Sequence, residues 1–310
     1  MNKQILKIEP VYEPRLWGGK NRLKEEFHYV TDVQPLGEVY NVVALKGRQD
    51  CWIESLDTSL SDLYEQQPTW FECETKELPI RVNILDPMLD LSVQLHPDDD
   101  YALTYNGGRG KPECWVILES QGKTIQLGHH AKSLDEFKQL AKEGRWTELL
   151  RYVEVQTGDF IDLPSGTLHA IGEGVLTYNI SRNAECTFRL YDYDRVEKST
   201  GTLRELHVHE VFDNVLVPDD QNQPVKVEMQ VEHTYWDEPG LYTLTRLKVD
   251  QNKNYEQKRF MFLTCVEGKG YINDLPIRKG DTYFVPHQFG EIALKGSLDL
   301  MIASYKNKGE

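Results

Sequence analysis

Short stretches in which apolar and polar residues alternate make up most of the chain, and Gly, Pro, Asn and Asp separate them. Alternation with a period of two is typical of a β-strand with one buried face. Residues 151–163 show it on both sides of Thr157-Gly158-Asp159 and stop at Pro164, which predicts a half-buried β-hairpin. Residues 245–250 predict a further strand. The pattern as a whole indicates a mainly β protein.

Two segments have their apolar residues at helical spacing instead. The first, residues 133–150, opens with Ser133 and has Glu136 three residues later, which is the capping-box pattern of a helix N-terminus. The second covers residues 204–217. We therefore expect a few α-helices that decorate a β framework.

A seven-residue pattern occurs twice, as Gly158 to Pro164 and as Gly280 to Pro286. Each copy reads Gly-Asp, four strand residues and Pro, which predicts two related β-barrels. The acidic, polar segment 217–224 is the best candidate for a linker between them. We predict one domain with helical insertions over residues 1–217 and a second domain over residues 218–310.

The first copy of the pattern continues to His169 through Gly166, and so matches the second sequence motif of cupins. This match predicts that the two β-barrels are of the cupin, or jelly-roll, type. Upstream, Gln94 and His96 are two residues apart and share one face of a strand. Glu113 follows at the distance of the first cupin motif. Two imidazoles and a carboxylate make an open site for zinc or another divalent metal, with Gln94 as a candidate fourth ligand.

The alternative is that each of these residues is an ordinary hydrogen-bonded polar residue of a sheet, but their combination and spacing favour a metal site. The second copy has Glu291 at the position of the histidine. We therefore expect residues 1–217 to form the metal-binding cupin domain and residues 218–310 to form a degenerate, structural cupin domain.

The amino-acid composition of the chain limits the kinds of molecule that we expect it to bind. The net charge of −15 argues against nucleic acid, because a phosphate backbone attracts a basic surface. No run of 18 apolar residues predicts a membrane span and the N-terminus lacks a signal-peptide pattern, so we expect a cytoplasmic protein. Five cysteines without a CxxC pair are typical of reduced thiols. An anionic small substrate would need a local cluster of basic residues.

The chain resembles the type I mannose-6-phosphate isomerases, particularly their short bacterial form. The resemblance lies in several motifs in the same order: Leu16-Trp17-Gly18-Gly19, Gly37-Glu38, Leu95 to Asp99, Lys111 to Trp115, Gly158 to Ala170, Thr187 to Arg195 and Arg204 to His207. It implies a phosphorylated hexose as substrate, with mannose 6-phosphate and fructose 6-phosphate interconverted through an enediolate.

The resemblance also implies roles for single residues. It implies one Zn²⁺ at His96, Glu113 and His169, with Gln94 beside them as a ligand or a substrate contact. Arg189 matches the catalytic arginine of the family, and Lys111 matches a substrate-site lysine. A basic cluster around Lys111 would include Arg109, Arg195 and Lys198, unless these three are solvated surface charges.

Some positions depart from the family pattern. Asn83 replaces a lysine, and a side-chain amide cannot act as a base. The other departures are Asn179, Ser181-Arg182 and Tyr40, which replace a glutamate, a glutamine and a tryptophan. Arg81 or Arg182 could partly replace the lost cation. These changes predict either altered sugar specificity or reduced activity.

Three functions are compatible with these features of the sequence. The first is a metal-dependent aldose-ketose isomerase of mannose 6-phosphate. The second is a non-catalytic or altered-specificity sugar-phosphate-binding cupin that retains the metal, which Asn83 and Asn179 suggest. The third is an iron-dependent oxygenase, because two histidines and one carboxylate also suit non-haem Fe(II).

Overall fold

The computed structural model describes residues 2–19, 22–197, 200–220, 222–228 and 230–310. The helices of these residues are short: α1 Arg22–Glu25, α2 Leu60–Gln66, α3 Pro68–Phe71, α4 Asp99–Asn106, α5 Leu134–Lys142, α6 Trp146–Leu149 and α7 Val208–Asn214, with a 3₁₀ turn at Glu54–Leu56. None of them is long and apolar enough to cross a bilayer.

Strands dominate, so the prediction of a mainly β protein is confirmed. They are β1 Leu6–Ile8, β2 Val11–Pro14, β3 Leu36–Val42, β4 Trp52–Ile53, β5 Thr58–Ser59, β6 Ile80–Leu85, β7 Val93–Leu95, β8 Glu113–Glu119, β9 Thr124–His129, β10 Leu150–Glu154, β11 Phe160–Leu163, β12 His169–Ala170, β13 Leu176–Arg182, β14 Phe188–Tyr191, β15 Glu232–Asp237, β16 Tyr242–Tyr255, β17 Met261–Ile272, β18 Leu275–Arg278, β19 Thr282–Val285 and β20 Ile292–Tyr305.

Three antiparallel sheets pack in layers. A five-stranded sheet (β10-β9-β12-β7-β14) faces a six-stranded one (β11-β8-β13-β6-β3-β2). The other face of the six-stranded sheet packs on a seven-stranded sheet, ordered β1-β19-β17-β20-β16-β15 with β18 beside β17. β4 and β5 pair separately.

The middle sheet is buried on both faces, and alternation along each strand gives its faces different chemistry. In β6, Ile80, Val82 and Ile84 belong to the apolar core shared with the seven-stranded sheet. Arg81 and Asn83 point the other way, toward the five-stranded sheet. The site described below lies on that second face.

The sequence repeat is present in three dimensions. Gly158 and Gly280 both have positive φ, +92° and +98°. Each donates its N–H to a carbonyl of the neighbouring strand at 2.8 Å. The backbone carbonyl of the aspartate that follows accepts an N–H from that same strand at 2.9 Å. The same turn therefore leads into β11 of the middle sheet and into β19 of the seven-stranded sheet.

The predicted hairpin over residues 151–163 is wrong in its pairing. β10 pairs with β9 in the five-stranded sheet, whereas β11 pairs with β8 in the six-stranded sheet. The turn at Gly158 thus carries the chain from one layer to the other. Alternation identified both strands, but it contains no information about their partners.

The first predicted helix is shorter than residues 133–150. Its start is confirmed, because Ser133 Oγ accepts the N–H of Glu136 at 3.2 Å. α5 ends at Lys142, and Gly144 then takes a positive φ of +67°. A separate turn, α6, follows, and the chain enters β10 at Leu150.

The second predicted helix, over residues 204–217, forms only as α7, Val208–Asn214. The residues before it lie extended along β14. The N–H of His207 donates to the carbonyl of Arg189 at 2.7 Å, and Arg189 Nη1 donates to the carbonyl of Glu205 at 2.7 Å. These contacts with β14 replace the first helical turn.

The predicted division into residues 1–217 and 218–310 stays a prediction. The segment between them contains Gln221, which lies outside the described residues. β1 comes from the first division but pairs with β19 of the second, with Leu6 opposite Phe284.

Candidate metal centre and active-site cleft

Three buried side chains converge at one end of the two facing sheets. His96 follows β7, Glu113 begins β8 and His169 begins β12, and a ligand atom from each lies within 4.8 Å of the others. His96 Nε2 lies 3.3 Å from Glu113 Oε2, and His169 Nε2 lies 3.5 Å from Glu113 Oε1. The structure therefore brings together the three residues that the sequence suggested as metal ligands.

Backbone carbonyls hold both rings in place. His96 Nδ1 lies 2.8 Å from the carbonyl of Cys186, and His169 Nδ1 lies 3.0 Å from the carbonyl of Thr167. Both Nδ1 atoms therefore carry the proton, since a carbonyl only accepts. The Nε2 atoms, buried and without a hydrogen-bond partner, keep their lone pairs for a ligand.

The two imidazoles are neutral at physiological pH. Burial lowers the pKa of His169 to about 4, and burial and then Lys111 lower the pKa of His96. Burial acts in this direction because it disfavours the charged form. Neutral imidazole is the form that coordinates a metal, so neither ring needs to lose a proton first.

Glu113 is ionised in spite of its burial. Desolvation alone would raise its pKa, but Lys111 and then His96 outweigh it and hold that pKa well below its usual value. Lys111 Nζ lies 3.1 Å from Glu113 Oε2, and Trp115 Nε1 donates to Oε1 at 3.2 Å. The cluster thus combines two neutral nitrogen donors with one carboxylate, a set that suits zinc.

Gln94 and Arg189 lie next to the cluster in the five-stranded sheet. Gln94 is directly opposite His169 on one side and Arg189 on the other. Arg189 Nε donates to Ser92 Oγ at 3.3 Å. Burial and then Arg204 lower the pKa of Arg189, which stays protonated because arginine titrates far above neutral pH.

A cleft of about 350 Å³ opens beside the cluster, between the five- and six-stranded sheets. Basic side chains lining it are Arg15, Arg81, Lys111, Arg189 and Arg204. They face three carboxylates, Glu38, Glu113 and Glu185. The cleft is therefore locally basic in a chain whose net charge is −15.

The composition of this basic cluster differs from the predicted one. Lys111 belongs to it, but Arg109 lines a different cavity, together with Arg182. Arg195 pairs with Asp192 and is not among the residues that line the cleft, and Lys198 lies outside the described residues. Sequence reasoning missed Arg15 and Arg204, although each flanks or begins a motif shared with the family.

Three positions that depart from the family pattern are neighbours in the middle sheet. Tyr40 lies opposite Asn83, and Asn83 lies opposite Asn179. The amide of Asn83 donates to Glu38, and the amide of Asn179 donates to Glu113 Oε2 at 3.4 Å. The departures therefore form one connected patch of the cleft wall.

Known proteins with similar sequences belong to one family of enzymes. Residues 234–305 match the family model of the mannose-6-phosphate isomerase cupin domain. The mannose-6-phosphate isomerase ManA of Bacillus subtilis (strain 168) is 34% identical over 98% of this chain and 99% of its own length. The mannose-6-phosphate isomerase of Streptococcus mutans is 31% identical over 95% of this chain and 96% of its own length.

Solved structures agree as well. A crystal structure of the mannose 6-phosphate isomerase from Bacillus subtilis superposes with a TM-score of 0.88 at 28% identity, over 97% of this chain and 99% of that one. A zinc-bound mannose 6-phosphate isomerase shares the fold with a TM-score of 0.80 at 15% identity, over 97% of this chain and 99% of that one. The expectation of a cupin fold is confirmed, and the chain belongs to the mannose-6-phosphate isomerase family.

Proposed function

We propose that this chain is a zinc-dependent aldose-ketose isomerase that interconverts mannose 6-phosphate and fructose 6-phosphate. The observation that carries the proposal is the buried cluster of His96, Glu113 and His169 at the wall of a basic cleft. An anionic, hydroxyl-rich substrate suits such a cleft, because its charge is balanced there and its oxygens can reach a metal.

The donor atoms fit a zinc ion. Both Nε2 atoms are buried without a hydrogen-bond partner, and Glu113 is an ionised carboxylate between them. Buried polar atoms are nearly always hydrogen-bonded in native proteins, so two unpartnered nitrogens at one point indicate a ligand. A bound zinc ion would align and polarise adjacent oxygens of the sugar, while Gln94 lies beside the cluster as a further oxygen donor.

Isomerisation moves a proton between C1 and C2, and negative charge develops on the neighbouring oxygens. Arg189 is suited to stabilise that charge. Ser92 and the carbonyl of Glu205 fix its guanidinium, and no carboxylate of the described residues lies within 4 Å of it. A fixed cation without a competing anion is an effective electrostatic stabiliser of an enediolate.

Proton transfer must use the ionisable groups that remain on the cleft wall. Asn83 and Asn179 cannot titrate. Glu185 is exposed and pairs with Arg48, away from the other groups. Glu38 and Lys111 are the candidates that lie deeper in the cleft, with Arg15 and Glu113 respectively as their ion-pair partners.

The test is a coupled assay of mannose 6-phosphate conversion to fructose 6-phosphate with zinc-loaded protein. We expect turnover by the wild type and its loss in His169→Ala. His130→Ala, at an exposed histidine outside the cluster, is the matched control and should keep full activity. Absence of turnover in a folded, zinc-loaded wild type would contradict the proposal.

A second candidate is a sugar-phosphate-binding protein that retains the metal without turnover, which the patch of Asn83 and Asn179 favours. Saturable binding of mannose 6-phosphate in calorimetry, together with no turnover, would support it. An iron-dependent oxygenase is not favoured by the family membership; iron in elemental analysis and oxygen uptake would be its signature.

A further inference from the structure

The basic residues of the cleft differ in how their charges are balanced. Three have carboxylate partners: Arg15 with Glu38 at 2.6 Å, Lys111 with Glu113 at 3.1 Å and Arg204 with Asp192 at 3.2 Å. Arg81 and Arg189 have no carboxylate within 4 Å among the described residues. These two cations are therefore available to an anion that enters the cleft.

Arg81 is more deeply buried than Arg189 and makes fewer hydrogen bonds. It is 5% exposed. Its Nε donates to Asn183 Oδ1 at 3.2 Å, and its guanidinium carbon lies 5.5 Å from the centre of the Tyr40 ring. Its Nη2 is buried and has no hydrogen-bond partner, whereas Arg189 already donates from Nε and from Nη1.

A buried, uncompensated guanidinium is costly, because desolvation of a charge is repaid only by a close counter-charge. Buried charged residues are accordingly paired in most proteins. An exception that lines a ligand cleft indicates that the counter-charge belongs to the ligand. A phosphate group is the fitting anion, since the planar fork of arginine matches two of its oxygens.

The register of the middle sheet places Arg81 at a suitable distance from the metal cluster. Ser181 of β13 lies directly opposite Glu113 of β8 on one side and directly opposite Arg81 of β6 on the other. Two strand spacings separate Glu113 from Arg81, which is roughly 10 Å between their backbones. An extended hexose 6-phosphate separates its phosphorus from its C1–C2 bond by a comparable length.

Unpartnered polar atoms next to Arg81 are a second indication that a ligand binds here. Ser181 Oγ, Asn83 Oδ1 and Asn179 Oδ1 are also buried without hydrogen-bond partners. Four unpartnered polar atoms on adjacent positions of two strands are unusual in a protein interior. Asn83 and Asn179 line the cleft, so sugar hydroxyl groups between the phosphate and the metal cluster would donate to their two amide oxygens.

We propose that Arg81 is the residue that binds the phosphate group of the substrate and so determines specificity for phosphorylated sugars. The inference rests on the proposed function in taking the ligand to be a hexose phosphate. Arg81 acts in ground-state binding, at the end of the substrate that does not react. Its removal therefore affects binding of substrate more than the rate of the bound complex.

The experiment uses full-length, zinc-loaded protein and the variants Arg81→Gln and Arg81→Lys. Arg182→Gln is the matched control, because Arg182 lies on the neighbouring strand but pairs with Asp99 outside the cleft. KM and kcat are measured with mannose 6-phosphate, and the Kd of inorganic phosphate and of unphosphorylated mannose by calorimetry. The melting temperature is recorded without ligand.

We expect Arg81→Gln to raise the KM for mannose 6-phosphate and the Kd for phosphate by about 10- to 100-fold, with a much smaller change in kcat. Mannose binding should not change. The melting temperature of the unliganded variant should be equal to that of the wild type or higher, since a buried unpaired charge has been removed. Arg81→Lys should recover part of the phosphate affinity, and Arg182→Gln should match the wild type.

The inference is overturned if Arg81→Gln leaves the phosphate Kd unchanged, or if Arg182→Gln weakens phosphate binding equally. Failure of the proposed function gives a different result. Wild-type protein would then bind phosphate through Arg81 without converting mannose 6-phosphate. If Arg81→Gln instead converts mannose 6-phosphate with an unchanged KM, the protein is an isomerase as proposed. Arg81 is then not the residue that binds the phosphate group.

Discussion

Asn83 and Asn179 lie opposite one another on β6 and β13, and their side-chain amides donate to two different carboxylates. A carboxylate can only accept, so each NH₂ group must face its glutamate. The amide oxygens are consequently left without partners at the cleft. The pair therefore presents neutral acceptors where a lysine and a glutamate of the family pattern would present charges.

The contact of Asn83 with Glu38 makes Asn83→Asp a severe change. It would place a second carboxylate against Glu38 in a buried site, and we expect a loss of about 2–4 kcal/mol in the free energy of unfolding. Asn254→Asp is the control, since Asn254 donates to Glu291 at 2.9 Å on the exposed surface. That variant should lose less than about 1 kcal/mol. Equal losses in urea denaturation would refute the assignment of the Asn83 amide.

The metal should stabilise the folded chain. Zinc at 100 times its Kd adds about 2.7 kcal/mol, so a chelator should lower the melting temperature of the loaded wild type. Glu113→Gln removes the carboxylate of the cluster and should melt at the same temperature with and without chelator. His130→Gln, outside the cluster, should respond as the wild type does. A chelator effect that survives in Glu113→Gln would place the metal elsewhere.

The stability of the metal-free protein should fall as the pH falls below 6.5, the pKa of an unperturbed histidine. Burial lowers the pKa of His169 to about 4 in the folded chain. Between these two values the unfolded chain binds the extra proton, so acid favours unfolding. The contribution of His169 is about 2 kcal/mol between pH 7 and pH 5.

His169→Gln isolates this contribution. Its unfolding free energy, measured by urea denaturation without metal, should depend less on pH over the same interval than that of the wild type. His130→Gln serves as the control. Parallel pH dependences in the wild type and His169→Gln would show that the ring of His169 is not held neutral.

Arg189 and Arg81 should differ in their kinetic effects. Arg189→Gln should lower kcat for mannose 6-phosphate by about 10²- to 10³-fold with little change in KM, because the charge it stabilises develops only in the transition state. Arg189→Lys keeps the charge without the planar fork and should recover part of the rate. A loss confined to KM would assign Arg189 to substrate binding instead.

The repeated turn offers an internal comparison of glycine positions. A Cβ at Gly280 would lie 2.3 Å from the carbonyl oxygen of Phe27, whereas a Cβ at Gly158 would meet nothing within 4 Å. Both residues have a positive φ that an L side chain rarely adopts. We expect Gly158→Ala to cost about 1 kcal/mol from backbone strain and Gly280→Ala about 3 kcal/mol or more. Thermal denaturation of the two variants, which should both retain the fold at low temperature, tests the order.

The sequence located the convergence of His96, Glu113 and His169 because their spacing within two motifs is tied to the register of neighbouring strands. It could not predict which cations line the cleft. Arg15, Arg81 and Arg204 come from separate segments, and only the packing of two sheets brings them to one wall. Local periodicity likewise identified β10 and β11 as strands, while the choice of their partners depends on contacts with β9 and β8.

The helix predictions failed for a related reason. Ser133 and Glu136 marked the start of α5 correctly, because a cap depends on adjacent residues. The segment 204–207 has helical spacing, yet its backbone binds β14 through His207 and Arg189. A tertiary contact of this kind overrides local propensity and leaves no signal in the segment itself.

The pairing of β1 with β19 affects how the chain can be divided. A fragment of residues 218–310 would lack Leu6 to Ile8 and would expose β19 as an unpaired edge. Exposed edges are templates for strand addition and aggregation. During synthesis, β1 emerges more than 270 residues before β19, so this edge of the sheet is completed only after residues 282–285 have been made. Expression of the C-terminal unit alone should therefore need a covalently attached copy of residues 2–9 to remain monomeric.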